Sequence, residues 1–379
     1  MDIPQPLRVL HCPTQVGGNP YQLAKAEREI GLDSWSISYN FKSLNYKSDE
    51  VISRNRLVYE FKRWALLKRA IKDFDIIHFN FGQSTMPQRY PGLEFNNPLV
   101  NFVYKIYDFY AGFLELRDLP IIKRMGKKIA VTYQGSDARQ GNFLRKRFKL
   151  HNLDIPLPET VSDASDRCKA ERINKFNQYA DLIYSLNPDL FYVLPERTKF
   201  LPYATIDLNK WHYIEPFSSE KSRPLVIHAP THRGIKGTKF LLEAVQRLQN
   251  ENVPFEFLLI EGLAHQEALE IYKKADLLVD QLLLGWYGGI SVELMAMGKP
   301  VICFIHPPDL KPIPKQMREE LPFINANPNT IYQVLKDALT KNKKQLPVIG
   351  RRSRTFVENW HNPLTVAAKL KKDYEKSIQ

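Results

Sequence analysis

Cysteine is scarce in this chain, with Cys12, Cys168 and Cys303 the only three in 379 residues. Odd in number and far apart, they supply neither a disulfide framework nor a Cys-x-x-Cys metal pair, which fits a reducing compartment, with the cytosol as the expected location. No stretch approaches the roughly 18 apolar residues of a membrane-spanning helix. Leu99 to Ile122 is broken by Lys105, Asp108, Glu115 and Arg117, and Leu277 to Ile290 by Asp280. The start, Met1 to Cys12, lacks the basic stretch, apolar core and cleavage site of an export signal, so none is expected. The nine histidines form no His-Glu-x-x-His and no Cys/His cluster, and no Gly-x-Ser-x-Gly elbow occurs. Zinc and serine hydrolysis are therefore not expected. Negative charge is also short: 41 Asp+Glu against 54 Lys+Arg leave a net +13. That points to an anionic partner, whether nucleotide, membrane surface or nucleic acid, without choosing among them.

What is present is apolar sequence, at 44% hydrophobic and 12% aromatic, enough to bury two cores. Short Val- and Ile-rich runs alternate with segments of helical period, the pattern of parallel sheets covered on both faces. A first series of strands is expected at Arg8–Cys12, Ser34–Ser38, Asp75–Phe79, Lys128–Thr132 and Leu182–Ser185, ending near Lys199–Leu201. A second is expected at Pro224–His228, Phe255–Ile260, Asp276–Asp280 and Val301–Phe304. Helices are expected at Tyr21–Ile30, Thr238–Asn250, His265–Lys274 and Ser291–Met297. The polar, proline-bounded stretch Ile214–Pro224 suits an interdomain linker. The expected fold class is α/β, with two doubly wound Rossmann-like lobes at 1–214 and 215–351 and a closing helical segment at 352–379, broken at Asn362-Pro363.

In such sheets ligands sit at the carboxyl ends of strands, where helix N-termini offer N–H groups to anions. Four such strand ends are informative. Gly17-Gly18 follows the first strand and lets backbone approach a ligand, although a plain turn reads the same way. After His228 come Arg233, Gly234, Lys236 and Gly237, two cations and two glycines entering a helix, as a diphosphate requires. A solvated basic loop is the alternative, and the spacing is not that of a Walker loop. After Asp280 comes Gly285-Trp-Tyr-Gly288-Gly289-Ile290-Ser-Val-Glu293-Leu-Met-Ala-Met-Gly298-Lys-Pro300-Val301. There a glycine turn opens a helix, and Glu293 is placed where a carboxylate can hold a ribose diol.

This last string resembles the carboxy-terminal signature of retaining GT-B glycosyltransferases, in particular glycosyltransferase family 4. Arg233 and Lys236-Gly237 resemble the family's diphosphate loop, and Gly17-Gly18 its amino-terminal glycine turn. The resemblance implies the GT-B fold, with a central cleft and a closing helix that crosses back to the first lobe. It implies a nucleotide-diphosphate sugar held mainly by the second lobe through Gly288, Gly289, Ile290 and Glu293, and an acceptor held by the first. Hexosyl transfer without a metal or cofactor follows, with Arg233 and Lys236 neutralising the leaving diphosphate. Two positions depart from the family. Gly285 stands where the first of two glutamates is usual, with Asp280 or Gln281 as candidate substitutes. Gln134 stands where the turn after the fourth strand usually has histidine; it can hydrogen-bond a sugar but cannot accept a proton. Asp137, in the same turn, is a candidate catalytic carboxylate or a helix cap.

His78, at another strand end, is a candidate for the acceptor side or a packed core histidine. Asp73-Phe-Asp75 spells the Asp-x-Asp of metal-dependent transferases of the other common glycosyltransferase fold, but it only leads into an apolar strand, so no metal site is expected. Basic aromatic stretches, Arg54–Lys72 and Arg145–Lys149, suit peripheral contact with anionic lipid, where they would reach a lipid-linked acceptor, or simply a solvated face. The acceptor expected is a glycan, lipid-linked or other. Alternative functions on the same fold are a sugar-nucleotide epimerase or phosphorylase, and a non-catalytic sugar-nucleotide-binding partner or sensor. Nucleic-acid binding is not expected, since no recognised motif accompanies the charge.

Overall fold

The structure, a computed structural model, describes residues 5–39, 46–52, 56–91, 93, 96–153, 162–214 and 222–379. Residues 215–221 of the expected linker, with the boundary near 215, and Arg54 of the first basic stretch lie outside the described residues.

Seven strands form the first sheet: β1 (Arg8–Cys12), β2 (Asp33–Tyr39), β3 (Glu50–Ile52), β4 (Ile76–Asn80), β5 (Lys128–Tyr133), β6 (Leu182–Ser185) and β7 (Lys199–Phe200), in the order β3-β2-β1-β4-β5-β6-β7. Five form the second: β8 (Leu225–His228), β9 (Glu256–Leu259), β10 (Leu277–Val279), β11 (Val301–Cys303) and β12 (Ile324–Asn325), in the order β12-β11-β10-β8-β9. Every pairing is parallel. The strands at the middle of each sheet, such as β4 and β10, are buried along their whole length, which is why they read as unbroken apolar runs. The two strands that patterning does not find, β3 and β12, are edge strands of three and two residues. Neither is long enough to show a period.

The helices expected near Tyr21, Thr238, His265 and Ser291 form at Asn19–Glu29, Thr238–Asn250, His265–Lys274 and Gly289–Ala296. The first starts directly after Gly17 (φ 61°) and Gly18 (φ 72°), a left-handed pair that reverses the chain as it leaves β1. One apolar core is continuous across both lobes, running from Val9 and Leu23 through Tyr203 to Trp286 and Tyr374.

The closing segment breaks where the sequence places the break, at Asn362-Pro363, but not all of 352–379 crosses back to the first lobe. Helix Leu346–Trp360 packs on Gly289–Ala296 of the second lobe, and only Pro363–Ile378 crosses to pack on Asn19–Glu29 of the first. The break is set by Pro363, which cannot continue the preceding helix, and by Asn362, whose side chain accepts from Leu364 N at 3.0 Å. Lys371 Nζ donates to Ile30 O at 2.9 Å and fastens the crossing helix.

Candidate functional site

The carboxyl ends of both sheets open onto one cleft of about 600 Å³. The first lobe lines it with Val16 after β1, Phe81 after β4, Gln134 to Asp137 after β5 and Asn187 after β6. The second contributes Thr231, His232, Ile235 and Lys236 after β8, and Gln281 and Gly288 after β10.

Of the two cations expected at the diphosphate loop, only Lys236 faces the cleft. Its Nζ donates to Asp280 Oδ1 at 2.6 Å. Arg233 does not line the cleft; it is 59% exposed and pairs with Glu261, Nε to Oε1 at 2.8 Å. The reason is helical geometry: Arg233 and Lys236 are the two ends of a single turn, Arg233–Lys236, stopped by left-handed Gly237 (φ 77°).

Asp280 is fully committed to structure. Besides Lys236, its Oδ2 accepts from Gly288 N and Ser291 Oγ, each at 2.7 Å. Burial alone would raise its pKa, but the Lys236 ammonium and these donors hold the carboxyl below its usual range. Two expectations change here. The Gly288 N–H is given to Asp280 rather than to a ligand, leaving Gly289 and Ile290 to open the helix with the first-turn N–H groups that an anion can use. Asp280 has no oxygen free to stand in for a missing glutamate, and Gln281 spends its amide on Trp286 O.

Glu293 is buried beside the cleft, not in its lining, with Oε1 2.9 Å from His265 Nε2. The pairing raises the His265 pKa against the opposing effect of burial. Tyr46 of the first lobe lies over His265, with ring centroids 5.7 Å apart. It also touches the space above Gly18, where a Cβ would come within 3.4 Å of its ring. Tyr46, from the segment leading into β3, thus lies between Gly18 of the first lobe and the His265–Glu293 pair of the second. Gly17 borders Thr205, and neither of these glycines lines the cleft.

The β5 turn is the best-defined element of the first-lobe wall. Asp137 folds back to accept from Gln134 N at 3.0 Å and Gly135 N at 2.6 Å, and it is buried. Burial pushes its pKa up to about 6, against the pull of those N–H groups. Its carboxylate therefore ties the turn itself, and no α-helix starts at Ala138 for it to cap. Gln134 Nε2 is buried without a partner, a donor at the cleft wall that a ligand oxygen can satisfy.

His78 is corrected to a core histidine. It is fully buried, with Nδ1 2.6 Å from Tyr374 Oη and Nε2 2.6 Å from Thr132 Oγ1. Burial drives its pKa far down and keeps it neutral. Asp75 is taken up by Arg8, which donates to it from N, Nε and Nη2. The basic run Arg145–Lys149 does not make one face either, because Arg147 turns inward to Asp309 of the second lobe.

That interlobe pair also explains Gly285. A Cβ on it would lie 2.7 Å from His306 Cβ, 3.1 Å from Asp309 Oδ2 and 3.3 Å from Arg147 Nη1, at a φ of 86°. The space a glutamate would need is filled by the contact between lobes.

Sequence reasoning missed the cations of the first-lobe wall. Arg139 forks onto Asp189 (2.6 and 3.0 Å), and Arg172 bonds Glu115 at 2.8 Å. Lys169 donates to Arg139 O at 2.7 Å, and burial lowers its pKa. All sit mid-helix or in loops without a motif; Asn187-Pro-Asp189 at the end of β6 is the one signal that strand-end logic would have picked up. Among the described residues no group of three or more His, Cys, Asp or Glu is arranged to hold a metal ion, and no helix is long and apolar enough to cross a membrane.

No family sequence model matches the chain, and no curated protein sequence matches it. Solved structures do. The chain is similar to sucrose-phosphate synthase from Thermosynechococcus elongatus, at TM-score 0.57 and 14% identity over 98% of each chain. It is similar to a glycosyltransferase from Rickettsia africae, at TM-score 0.55 and 12% identity over 100% of each. O-GlcNAc transferase from Thermobaculum terrenum matches at TM-score 0.52 and 11% identity, over 99% of this chain and 68% of that one. Identities this low speak to the fold and not to the reaction. The chain has the GT-B fold, two Rossmann-like lobes whose strand ends face each other across a cleft.

Proposed function

We propose that the chain is a glycosyltransferase that moves a hexosyl group from a nucleotide-diphosphate sugar to an acceptor, in the manner of retaining family 4 enzymes. The observation that carries this reading is the cleft. It brings Lys236 and the opening of helix Gly289–Ala296 from the second lobe opposite the Gln134–Asp137 turn of the first. A donor's diphosphate would take the Lys236 ammonium and the N–H groups of Gly289 and Ile290, which meet the charge that develops as the glycosidic C–O bond to phosphate breaks. Gln134 Nε2 would donate to a sugar hydroxyl, and Lys169 would add positive charge on the acceptor side. Glu293, released from Tyr46, would receive the ribose, with His265 orienting its carboxylate. Arg233 would reach the diphosphate only by leaving Glu261.

Retention follows the family resemblance. Both the resemblance and the commitment of Asp137 to its own turn favour attack from the face of the departing phosphate over a double displacement. The acceptor hydroxyl would bond to the anomeric carbon while its proton passes to the leaving phosphate oxygen, so charge balances without a separate base. No step in this scheme calls on a metal.

The reading is tested with a thermal-shift panel of nucleotide-diphosphate sugars, since a ligand that binds only the folded state raises apparent stability. Stabilisation by one donor, abolished in Glu293→Ala and followed by turnover with an acceptor, is expected. Binding without turnover across acceptors supports a second reading, a non-catalytic sugar-nucleotide sensor. The observation favouring that alternative is Gly285, where the usual carboxylate is missing and its space is filled.

A further inference from the structure

Helix Pro98–Leu114 is amphipathic the wrong way round for a water-soluble surface. Leu99, Phe102, Val103, Ile106, Phe109 and Phe113 repeat at three- and four-residue spacing and are all exposed, Phe109 by 83%. The side facing the protein is where the polar groups lie. Tyr104 Oη donates to Tyr90 O at 2.9 Å, and Asp108 Oδ1 accepts from Tyr90 N at 3.0 Å. Ala111 is the helix's one buried residue, and a Cβ on Gly112 would come within 2.9 Å of Arg89 Cδ, so the smallest residues admit the neighbouring chain. A surface helix normally buries its apolar stripe and leaves its polar one in water.

A second helix, Arg56–Asp73, extends the patch. Phe61 is 79% exposed, and Trp64, Lys68 and Lys72 follow it along one face. The two helices touch, because Tyr110 Oη donates to Glu60 Oε2 at 3.0 Å. Charge around the patch is mostly positive. Lys68 and Lys72, with Lys105 and Arg117, are exposed, against two half-buried carboxylates, Glu60, which pairs with Arg63 and accepts from Tyr110 Oη, and Asp108, which accepts from Tyr90 N. A contiguous apolar patch of this kind is unusual on a soluble monomer and marks a docking surface.

We propose that helix Pro98–Leu114, with Phe61 and Trp64, docks this chain on an anionic lipid bilayer. The helix lies in the plane of the leaflet with its apolar stripe at the boundary of headgroups and acyl chains. Aromatic residues hold that level, and the surrounding lysines and arginine meet anionic headgroups. The mostly basic fringe around an aromatic centre complements an anionic leaflet, and that charge complementarity is the ground for a bilayer as the occupant. Residues Gln88 to Pro91, bolted to this helix through Tyr90, also form part of the cleft wall. Docking therefore presents the cleft to the membrane surface. On the transfer reading above, on which this consequence rests, the acceptor is an amphiphile held in the leaflet.

The test is sedimentation of the full chain with phosphatidylcholine vesicles, with and without phosphatidylglycerol. Binding to the anionic vesicles, reduced by salt, is expected. Phe102→Ser, Ile106→Ser and Phe109→Ser together should weaken that binding by about tenfold or more, since each removes exposed apolar surface that the bilayer would bury. These side chains touch solvent, so the unfolding midpoint should not fall. As an independent readout, brominated lipid should quench tryptophan fluorescence, and Trp64→Phe should remove the quenching. Equal vesicle binding by the triple variant, no binding to anionic vesicles, or a dimer in light scattering that the triple variant dissolves would each overturn the proposal. Donor-induced thermal shifts measured without lipid separate the two readings. Intact shifts with no vesicle binding sink the docking alone, and the converse sinks the transfer reading alone.

Discussion

Arg147 on the first lobe and Asp309 on the second form a buried ion pair, Nη2 to Oδ2 at 2.6 Å, with side chains 3% and 0% exposed. Tyr192 Oη at 3.2 Å and His306 Nδ1 at 2.9 Å complete the surroundings of the Asp309 carboxylate. The pair fixes how the lobes meet and occupies the place of the glutamate missing at Gly285. Removing one partner leaves a buried charge uncompensated. Arg147→Ala is expected to cost about 3–5 kcal/mol in denaturant unfolding, whereas Arg147→Met with Asp309→Leu should recover most of the loss.

Restoring a carboxylate at Gly285 should fail. A non-glycine residue at φ 86° costs about 1–2 kcal/mol for the backbone alone, and the side chain would have to displace His306 or split the Arg147–Asp309 pair. Gly285→Glu is therefore expected to lower the thermal midpoint and to bring no gain in donor affinity, measured by calorimetric titration. Tighter donor binding in a stable variant would show that the space is free.

Lys236→Met tests the charge placed at the cleft. Loss of a preorganised group that stabilises developing negative charge lowers kcat by about a hundredfold or more. The measurement is turnover at saturating donor, with donor binding followed separately. Asp280 still accepts from Gly288 and Ser291 in the variant, so the glycine turn should keep its shape. Unchanged kcat would remove Lys236 from the reaction.

Asp137 sets a pH dependence. Its pKa of about 6 in the folded chain, against an ordinary 3.8, means that the carboxylate gripping Gln134 N and Gly135 N protonates as pH falls through 6. Activity is expected to decline on that acid limb, and Asp137→Asn should flatten it. The sign for stability is the reverse. A raised folded-state pKa gives a contribution fully present below 3.8 and lost as pH rises through about 6, so Asp137→Asn should gain relative stability at neutral pH. A pH-rate profile and unfolding curves at pH 4 and 7 separate the two effects.

The two-lobe parallel architecture was legible in the sequence because its central strands are covered on both faces and must be apolar throughout, as at Ile76–Phe79 and Leu277–Val279. The glycine turns were legible for a similar local reason: Gly17, Gly18 and Gly237 adopt positive φ, a conformation that other residues resist. Gly289–Ala296 was legible from its ends, the Gly288-Gly289 turn before it and Gly298-Lys-Pro300 after it, since residues 291–296 are all buried and carry no amphipathic period.

Which of those residues face the cleft was decided only by the tertiary structure. Arg233 and Lys236 are equivalent in the string, yet one meets Glu261 in solvent and the other Asp280 in the cleft. His78 reads in the string as a strand-end candidate, but it lies in the middle of β4, and the crossing helix covers it with Tyr374, 296 residues later. The side-chain space beside Gly285 is taken by His306 and Asp309 of its own lobe together with Arg147 of the other. Sequence by itself determined the elements, because backbone propensity and burial act over a few residues. Site membership depends on which side chains meet across more than a hundred residues of chain, and only the packed lobes bring those partners together.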